Sequence, residues 1–455
     1  MSEIRLLATG VLGLGFSYQG FQAGLEREPH MLGCDAGSSD FGPYYLGTGL
    51  PQKSPLALKR DLELLLAAAR KHNIPFITGS TGGAGTLSSG EATAAVVRDI
   101  AREKNLRLRV ATIGAEIPPA LLQRKLREGK LAPLGPAGAL DEAAIGRVTR
   151  AVGMMGEEPF MRALDMGAEV ILAGRAADPA IFAALALREG IAPGVAWHAG
   201  KTIDKGSLAT TQPLDGSPLL ATLRDGDFIV EPTRRESVCT VASVSRVTLH
   251  ENADPFQITQ PTGTIDTQQT VYEQLDARRV RVSGSRYLPA ARPTIKIEGA
   301  ELVGYRTLLI AGIRDPRVIE RFDEFLDMYR ERLRRNVHAM GIGDSDYFLH
   351  FRVFGRDAVM GALEPLASQP GHELGLIVDV VGRTEAISGA IGSKLGPTGS
   401  RMDITGKLGG GGNFAYPFSP SLIKVGPAYK WSIWHVIETD EAEMRELFPV
   451  TLSDV

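Results

Sequence analysis

The chain has 455 residues, 44% hydrophobic and 23% charged, with a formal net charge of -3. That length accommodates more than one hydrophobic core, and the charge gives no global basic footprint for nucleic acid or an anionic membrane. Two cysteines, Cys34 and Cys239, are too few for a disulfide framework and lack metal-ligand spacing.

Strand and helix signals alternate from the first residues onward. An apolar strand at 4–8 leads into Gly10, Gly13 and Gly15, and a helix follows at 16–25. A strand at 30–34 ends at Asp35-Ala36-Gly37-Ser38. Leu58, Leu62, Leu65, Leu66 and Ala69 recur at helical spacing over 55–71. A strand at 74–78 then runs into Gly79-Ser80-Thr81-Gly82-Gly83-Ala84-Gly85, and a helix follows at 91–104. The strand at 106–113 ends at Gly114-Ala115-Glu116, and helices follow at 119–128 and 158–166. The strand at 169–172 ends at Ala173-Gly174-Arg175-Ala176-Ala177-Asp178, with Asp178 as N-cap of a helix at 179–188.

This alternation predicts an α/β domain over 1–230, a parallel sheet with helices on both faces. Ligands of such sheets bind beyond the carboxyl ends of the strands, where the glycine and polar residues just named fall. The glycine-rich turn at 79–85 offers backbone N–H groups to an anion, or is a tight turn that needs small residues. The first loop, Gly13-Leu14-Gly15-Phe16-Ser17-Tyr18, is an incomplete dinucleotide fingerprint because Tyr18 stands where a small residue is needed.

Residues 231–300 read as a connector with a short helix at 240–249 and a β-hairpin at 270–275 and 279–283. Arg278, Arg279, Arg281, Arg286 and Arg292 face an acidic cofactor such as coenzyme A, or form a solvated surface. Residues 301–455 form a smaller α+β domain. Strands at 302–310, 347–354, 374–381 and 430–437 and helices at 316–338 and 384–394 give the ferredoxin-like order βαββαβ. His350 and His435 lie in strands and are read as structural. The loop from Ile404 through Gly409, Gly410, Gly411 and Gly412 is a flap or a linker.

No apolar run approaches the roughly 18–20 residues needed to span a bilayer. The opening lacks a signal-peptide layout. The expected location is therefore cytoplasmic, with no membrane partner.

The candidate site gathers these strand-end residues. Gly13, Gly15, Ser38, Ser80, Thr81, Gly82 and Gly83 supply donors to a carboxylate or enolate oxygen. Arg175 clamps a carboxylate, with Asp178 beside it. Glu116 or His198 takes the proton next to the carbonyl, and Asp35 orients the pair or holds a divalent ion. Their alternatives are a loop-bridging ion pair for Glu116 and Arg175, a satisfied core residue for His198, and an Asx-turn for Asp35. No metal motif is present, and no cofactor is identified.

Cys34-Asp35-Ala36-Gly37-Ser38, Gly42-Pro43-Tyr44-Tyr45-Leu46-Gly47, Gly79 to Gly85 and Gly304-Tyr305-Arg306-Thr307 resemble the acyclic terpene utilisation (AtuA-like) family. Val280 to Arg286 and Ala311 to Pro316 extend the likeness over nearly the whole chain. The resemblance implies bacterial catabolism of branched acyl-CoA or organic acids, and a small companion protein. It supplies no catalytic set. Asp204-Lys205 stands where relatives tend to carry Glu-Cys, which puts a role for that helix in doubt. The expected function is thus an enzyme, a lyase, hydratase or isomerase, acting on a small carboxylate or its CoA thioester, in a homo-oligomer. The rival readings are a non-catalytic large subunit and an NAD-linked oxidoreductase.

Overall fold

The computed structural model describes residues 3–213, 215–404 and 412–455. The chain divides into two compact units, Met1–Glu301 with Trp431–Val455, and Leu302–Lys430.

The first unit is mixed α/β, built on a 10-stranded sheet. Its centre is parallel, in the spatial order Ile4–Val11, Met31–Asp35, Phe76–Gly79, Val170–Ala173, Arg109–Ile113. Met31–Asp35, Phe76–Gly79 and Val170–Ala173 are buried at every residue, as strands covered on both faces must be. Alternate side chains feed two cores. Leu7, Leu32, Phe76 and Val170 meet Leu62, Leu65 and Leu66 of the helix Pro55–His72 and Val97 of the helix Leu87–Lys104. Leu6, Met31, Ile77 and Ile171 share the other core with Phe160, Phe182 and Trp197.

The sheet is not parallel throughout. Antiparallel strands extend both edges, a feature the β-α alternation does not carry. Leu219–Leu223 pairs with Ile4–Val11, and Asp227–Pro232 and the hairpin Val271–Gln274/Val280–Ser283 follow outward. On the far edge, Val450–Asp454 pairs with Arg109–Ile113. The helix Val241–Leu249 starts at a reciprocal cap between Thr240 and Ser243.

In the second unit the elements run strand, helices Pro316–Glu320 and Phe322–His338, strand Tyr347–Phe354, strand Leu374–Gly382, helix Glu385–Ser400, strand. The first and last strands belong to Thr294–Ile313 and Leu422–Glu438. The order across the sheet is Tyr347–Phe354, Leu374–Gly382, Thr294–Ile313, Leu422–Glu438. The helical stretch read as continuous over 316–338 breaks at Arg321, where φ is -113° and ψ 38°. Phe325, Tyr329 and Leu333 line the core of this unit against Leu376 and Val378. The glycine run from Gly409 to Gly411 lies outside the described residues. Among the described residues no helix is long and apolar enough to cross a membrane.

Candidate functional site

The parallel strands deliver charged and polar residues to one rim. Asp35 ends Met31–Asp35, Ser80 follows Phe76–Gly79, and Arg175 comes two residues after Val170–Ala173. Asp178 opens the helix Asp178–Arg188. Ser80 sits at φ 51°, an uncommon backbone conformation for a residue with a side chain. Its N–H donates to Gly174 O at 2.8 Å, and Thr81 N–H donates to Ala173 O at 2.9 Å, so neighbouring strand ends are tied together.

Beside this rim lies a cavity of about 570 Å³. Arg175, Asp178, Lys201, Asp204, Lys205 and Lys296 line it. That volume is typical of small-ligand sites. A second cavity of about 470 Å³ holds Gly15, Ser38 and Asp35, and Ser38, Lys205 and Glu251 line both.

The charges form two linked groups. Arg175 Nε lies 3.1 Å from Glu298 Oε2 and Nη2 3.4 Å from Oε1, while Nη1 donates to Ser80 Oγ at 3.2 Å. Lys296 Nζ stands 2.8 Å from Oε1 of the same carboxylate. Burial alone raises a carboxyl, but Arg175 and Lys296 outweigh it and hold Glu298 down at about 2. In the second group Lys205 Nζ reaches Asp178 Oδ2 at 2.6 Å and Asp35 Oδ2 at 3.6 Å. Burial, reinforced by the Asp178 charge, pushes Asp35 up to about 7 against the pull of Lys205. Burial likewise pushes Asp204 up to about 6, opposed by Lys201 and Lys205. Two buried carboxyls thus titrate near neutrality, the property of groups that exchange protons with a ligand.

The model of the acyclic terpene utilisation family protein AtuA matches residues 55–190 and 200–397. The chain belongs to the AtuA family. That membership ties it to acyclic terpene utilisation. No curated protein and no solved structure matches it. In this AtuA member Ser80, Glu116, Arg175, Asp178, Asp204 and Lys205 fall inside the matched stretches, whereas Gly13, Gly15, Asp35, Ser38 and His198 fall outside them.

The structure brings Ser80, Arg175, Asp178, Asp35 and Ser38 together around the two cavities. Several other residues named from the sequence have different partners. The N–H groups of Gly13 and Gly15 do hold a carboxylate, but it is the chain's own: both donate to Asp61 Oδ2, at 2.8 and 3.1 Å. Thr81, Gly82 and Gly83 are buried. The Thr81 hydroxyl donates to Ala173 O at 2.6 Å, and Gly83 N–H donates to Ser80 O at 2.9 Å. A Cβ on Gly83 would stand 2.2 Å from the Gln52 side chain, and one on Gly85 2.2 Å from Arg175 N. The glycines of this turn admit the chain's own atoms.

Glu116 Oε1 accepts from Leu87 N–H at 2.8 Å, which satisfies a free donor at the start of Leu87–Lys104. It does not line the cavity with Arg175. His198 is fully buried, with Nδ1 2.6 Å from Ser285 Oγ and Nε2 3.0 Å from Thr248 Oγ1. Burial lowers its pKa to about 3, so it is a neutral core residue with both ring nitrogens engaged. Lys201, one turn on, lines the cavity instead.

The residues that sequence reasoning missed are Lys296, Glu298, Asp204, Lys205 and Asp61. One signal was available. Lys201, Asp204 and Lys205 are charged side chains at the end of an otherwise apolar helix, Pro193–Ile203. Glu298 sits amid apolar residues in the strand Thr294–Ile313.

Proposed function

We propose that this AtuA family member is an enzyme of organic-acid catabolism that acts on a small carboxylate or its CoA thioester by moving a proton next to the carbonyl. The observation that carries this reading is the meeting of Arg175, Lys201, Lys205 and Lys296 with two buried carboxyls, Asp35 and Asp204, that titrate near neutral pH. Family membership supports a place in acyclic terpene utilisation.

In this reading Lys201 and Lys205 face the ligand's carboxylate or carbonyl oxygen, and Ser80 and Glu298 fix Arg175 in place. Asp35, held by the Gly37 N–H at 3.1 Å and by Lys205, takes the proton from the carbon next to the carbonyl. The ammonium of Lys205 stabilises the enolate charge that forms. This replaces Glu116 and His198 as proton acceptors, because both are committed to structural bonds.

The test is turnover of a panel of dicarboxylates and acyl-CoAs by the whole chain and by Asp35→Asn and Glu116→Gln. We expect Asp35→Asn to lose at least about 100-fold in kcat, within the range for removing a general base, and Glu116→Gln to stay within about threefold. Full activity in Asp35→Asn would remove this mechanism.

A further inference from the structure

Buried polar atoms are almost always hydrogen-bonded, so those left unpaired call for a partner. Among the described residues, no side chain donates a hydrogen bond to either carboxylate oxygen of Asp204, which has the adjacent Lys205 N–H as its backbone donor, and Oε1 of Gln260 accepts none. Asp204 is fully buried and Gln260 is 8% exposed. Both line the 570 Å³ cavity. They come from separate elements: Asp204 caps the helix Pro193–Ile203, and Gln260 ends the strand Gln257–Gln260. The nearest cation to Asp204 is Lys201, with Nζ at 3.9 Å, beyond hydrogen-bond reach.

The unmet atoms are all acceptors, so the complementary ligand group is a donor. An ammonium donor would bring a further charge into a lining whose four cations, Arg175, Lys201, Lys205 and Lys296, are already matched by Asp40, Asp178, Asp204 and Glu251, and burying an added charge costs more than burying a hydroxyl. A hydroxyl carries the donor without the charge. From the unpaired acceptors and this balance of charge we infer that Asp204 and Gln260 are specificity-determining residues that receive a hydroxyl group, so the ligand is a hydroxy acid rather than a plain carboxylic acid. The inference rests on the proposed carboxylate reading of this cavity and narrows it.

A site built to bond a hydroxyl discriminates strongly against the analogue lacking it, because its buried acceptors are then left unpaired. The test is calorimetric titration of the whole chain with matched pairs: malate against succinate, and 3-hydroxybutyrate against butyrate. We expect the hydroxy member of a pair to bind at least about 10-fold more tightly. That preference should fall below about threefold in Asp204→Ala and in Gln260→Met. Should Asp204→Ala fail to fold, Gln260→Met decides alone. Equal binding of both members of each pair would overturn the inference and leave the carboxylate reading standing. A hydroxyl preference unchanged in the folded variants would overturn it as well. No binding by any acid would remove the carboxylate reading and this inference together.

Discussion

Lys205 Nζ lies 2.6 Å from Asp178 Oδ2, an ion pair that ties the residues after one helix to the first turn of another. The same ammonium stands 3.6 Å from Asp35. One lysine therefore separates two carboxyls, and it decides how far the proton affinity of Asp35 departs from its ordinary value. Lys205→Met leaves Asp35 and Asp178 facing each other without a cation. We expect a loss of roughly 3 kcal/mol of stability, the low end for breaking a buried pair. The loss should be largest at about pH 8, where both carboxyls are charged, and should shrink at about pH 5.5, where protonation of Asp35 relieves the repulsion. Denaturant midpoints of wild type and variant at the two pH values measure it. A gap that stays constant with pH would show that Lys205 does not control Asp35.

Carboxylate binding should draw a proton into the site. Each cation around the cavity already faces an internal acid: Arg175 and Lys296 face Glu298, Lys205 faces Asp178 and Asp35, and Lys201 faces Asp204. An incoming anion meets no surplus of positive charge unless a carboxyl protonates. Asp204, at about 6, is the group able to do so, one of its oxygens remaining an acceptor, while Asp35 stays ionised to take the ligand's proton. A bound anion pushes the Asp204 pKa higher, so affinity is greatest below about pH 6 and falls as pH rises toward 8. The limit is about tenfold per pH unit for each proton taken up. Titration calorimetry in buffers of different ionisation enthalpy reads the proton count directly. A count of zero at about pH 7 would contradict this account of the charges.

His198 should act on stability and not on turnover. Its folded pKa is lowered to about 3 by burial, below the ordinary histidine value of about 6.5. The unfolded chain therefore binds the proton more readily, and stability is lost as pH falls from about 6.5 toward 3. The full effect of this one residue is roughly 5 kcal/mol. His198→Gln can keep hydrogen bonds to Ser285 and Thr248 without a group that charges in acid. Melting temperature followed over pH 4 to 7 should fall less steeply in the variant, and its kcat should stay within about threefold of wild type. A loss of kcat without a change in the acid profile would return His198 to the candidate catalytic groups.

The repeating strand-turn-helix signals of the first 190 residues made the parallel centre of the sheet and its rim legible, because buried parallel strands read as short apolar runs. Asp35 closes such a run, Ser80 directly follows one, and Arg175 and Asp178 stand two and five residues beyond another. Glu298 was hidden, since it meets Arg175 from 123 residues further on with Lys296 at its side, and periodicity carries no record of a contact across that span. His198 and Lys201 stand three apart in Pro193–Ile203, a spacing that puts them on one helix face, yet a buried helix has no idle face. Trp197 stacks on Tyr287 with ring centroids 5.7 Å apart, and His198 is turned into the same core. Sequence alone offers these glycine turns to a ligand's oxygen; what approaches Gly13, Gly15, Gly83 and Gly85 is the protein itself.

That last point has a sharp consequence at Asp61. Its side chain is 1% exposed, and its Oδ2 accepts from both Gly13 and Gly15. Arg60 neutralises the other oxygen at 3.1 Å. Asp61→Gly empties this nest and leaves two backbone donors without their acceptor, at a cost of roughly 2–3 kcal/mol. A nest that binds an anion by geometry should accept a free one in place of the missing side chain. Acetate or formate at tens of millimolar should therefore raise the melting temperature of Asp61→Gly by several degrees more than that of wild type. The expected gain follows from mass action on the folded state. Chloride, which is spherical and makes no paired carboxylate contacts, should restore less. Equal responses of wild type and variant to acetate would show that the loop at 13–15 is shaped by its own backbone alone and that Asp61 is a bystander.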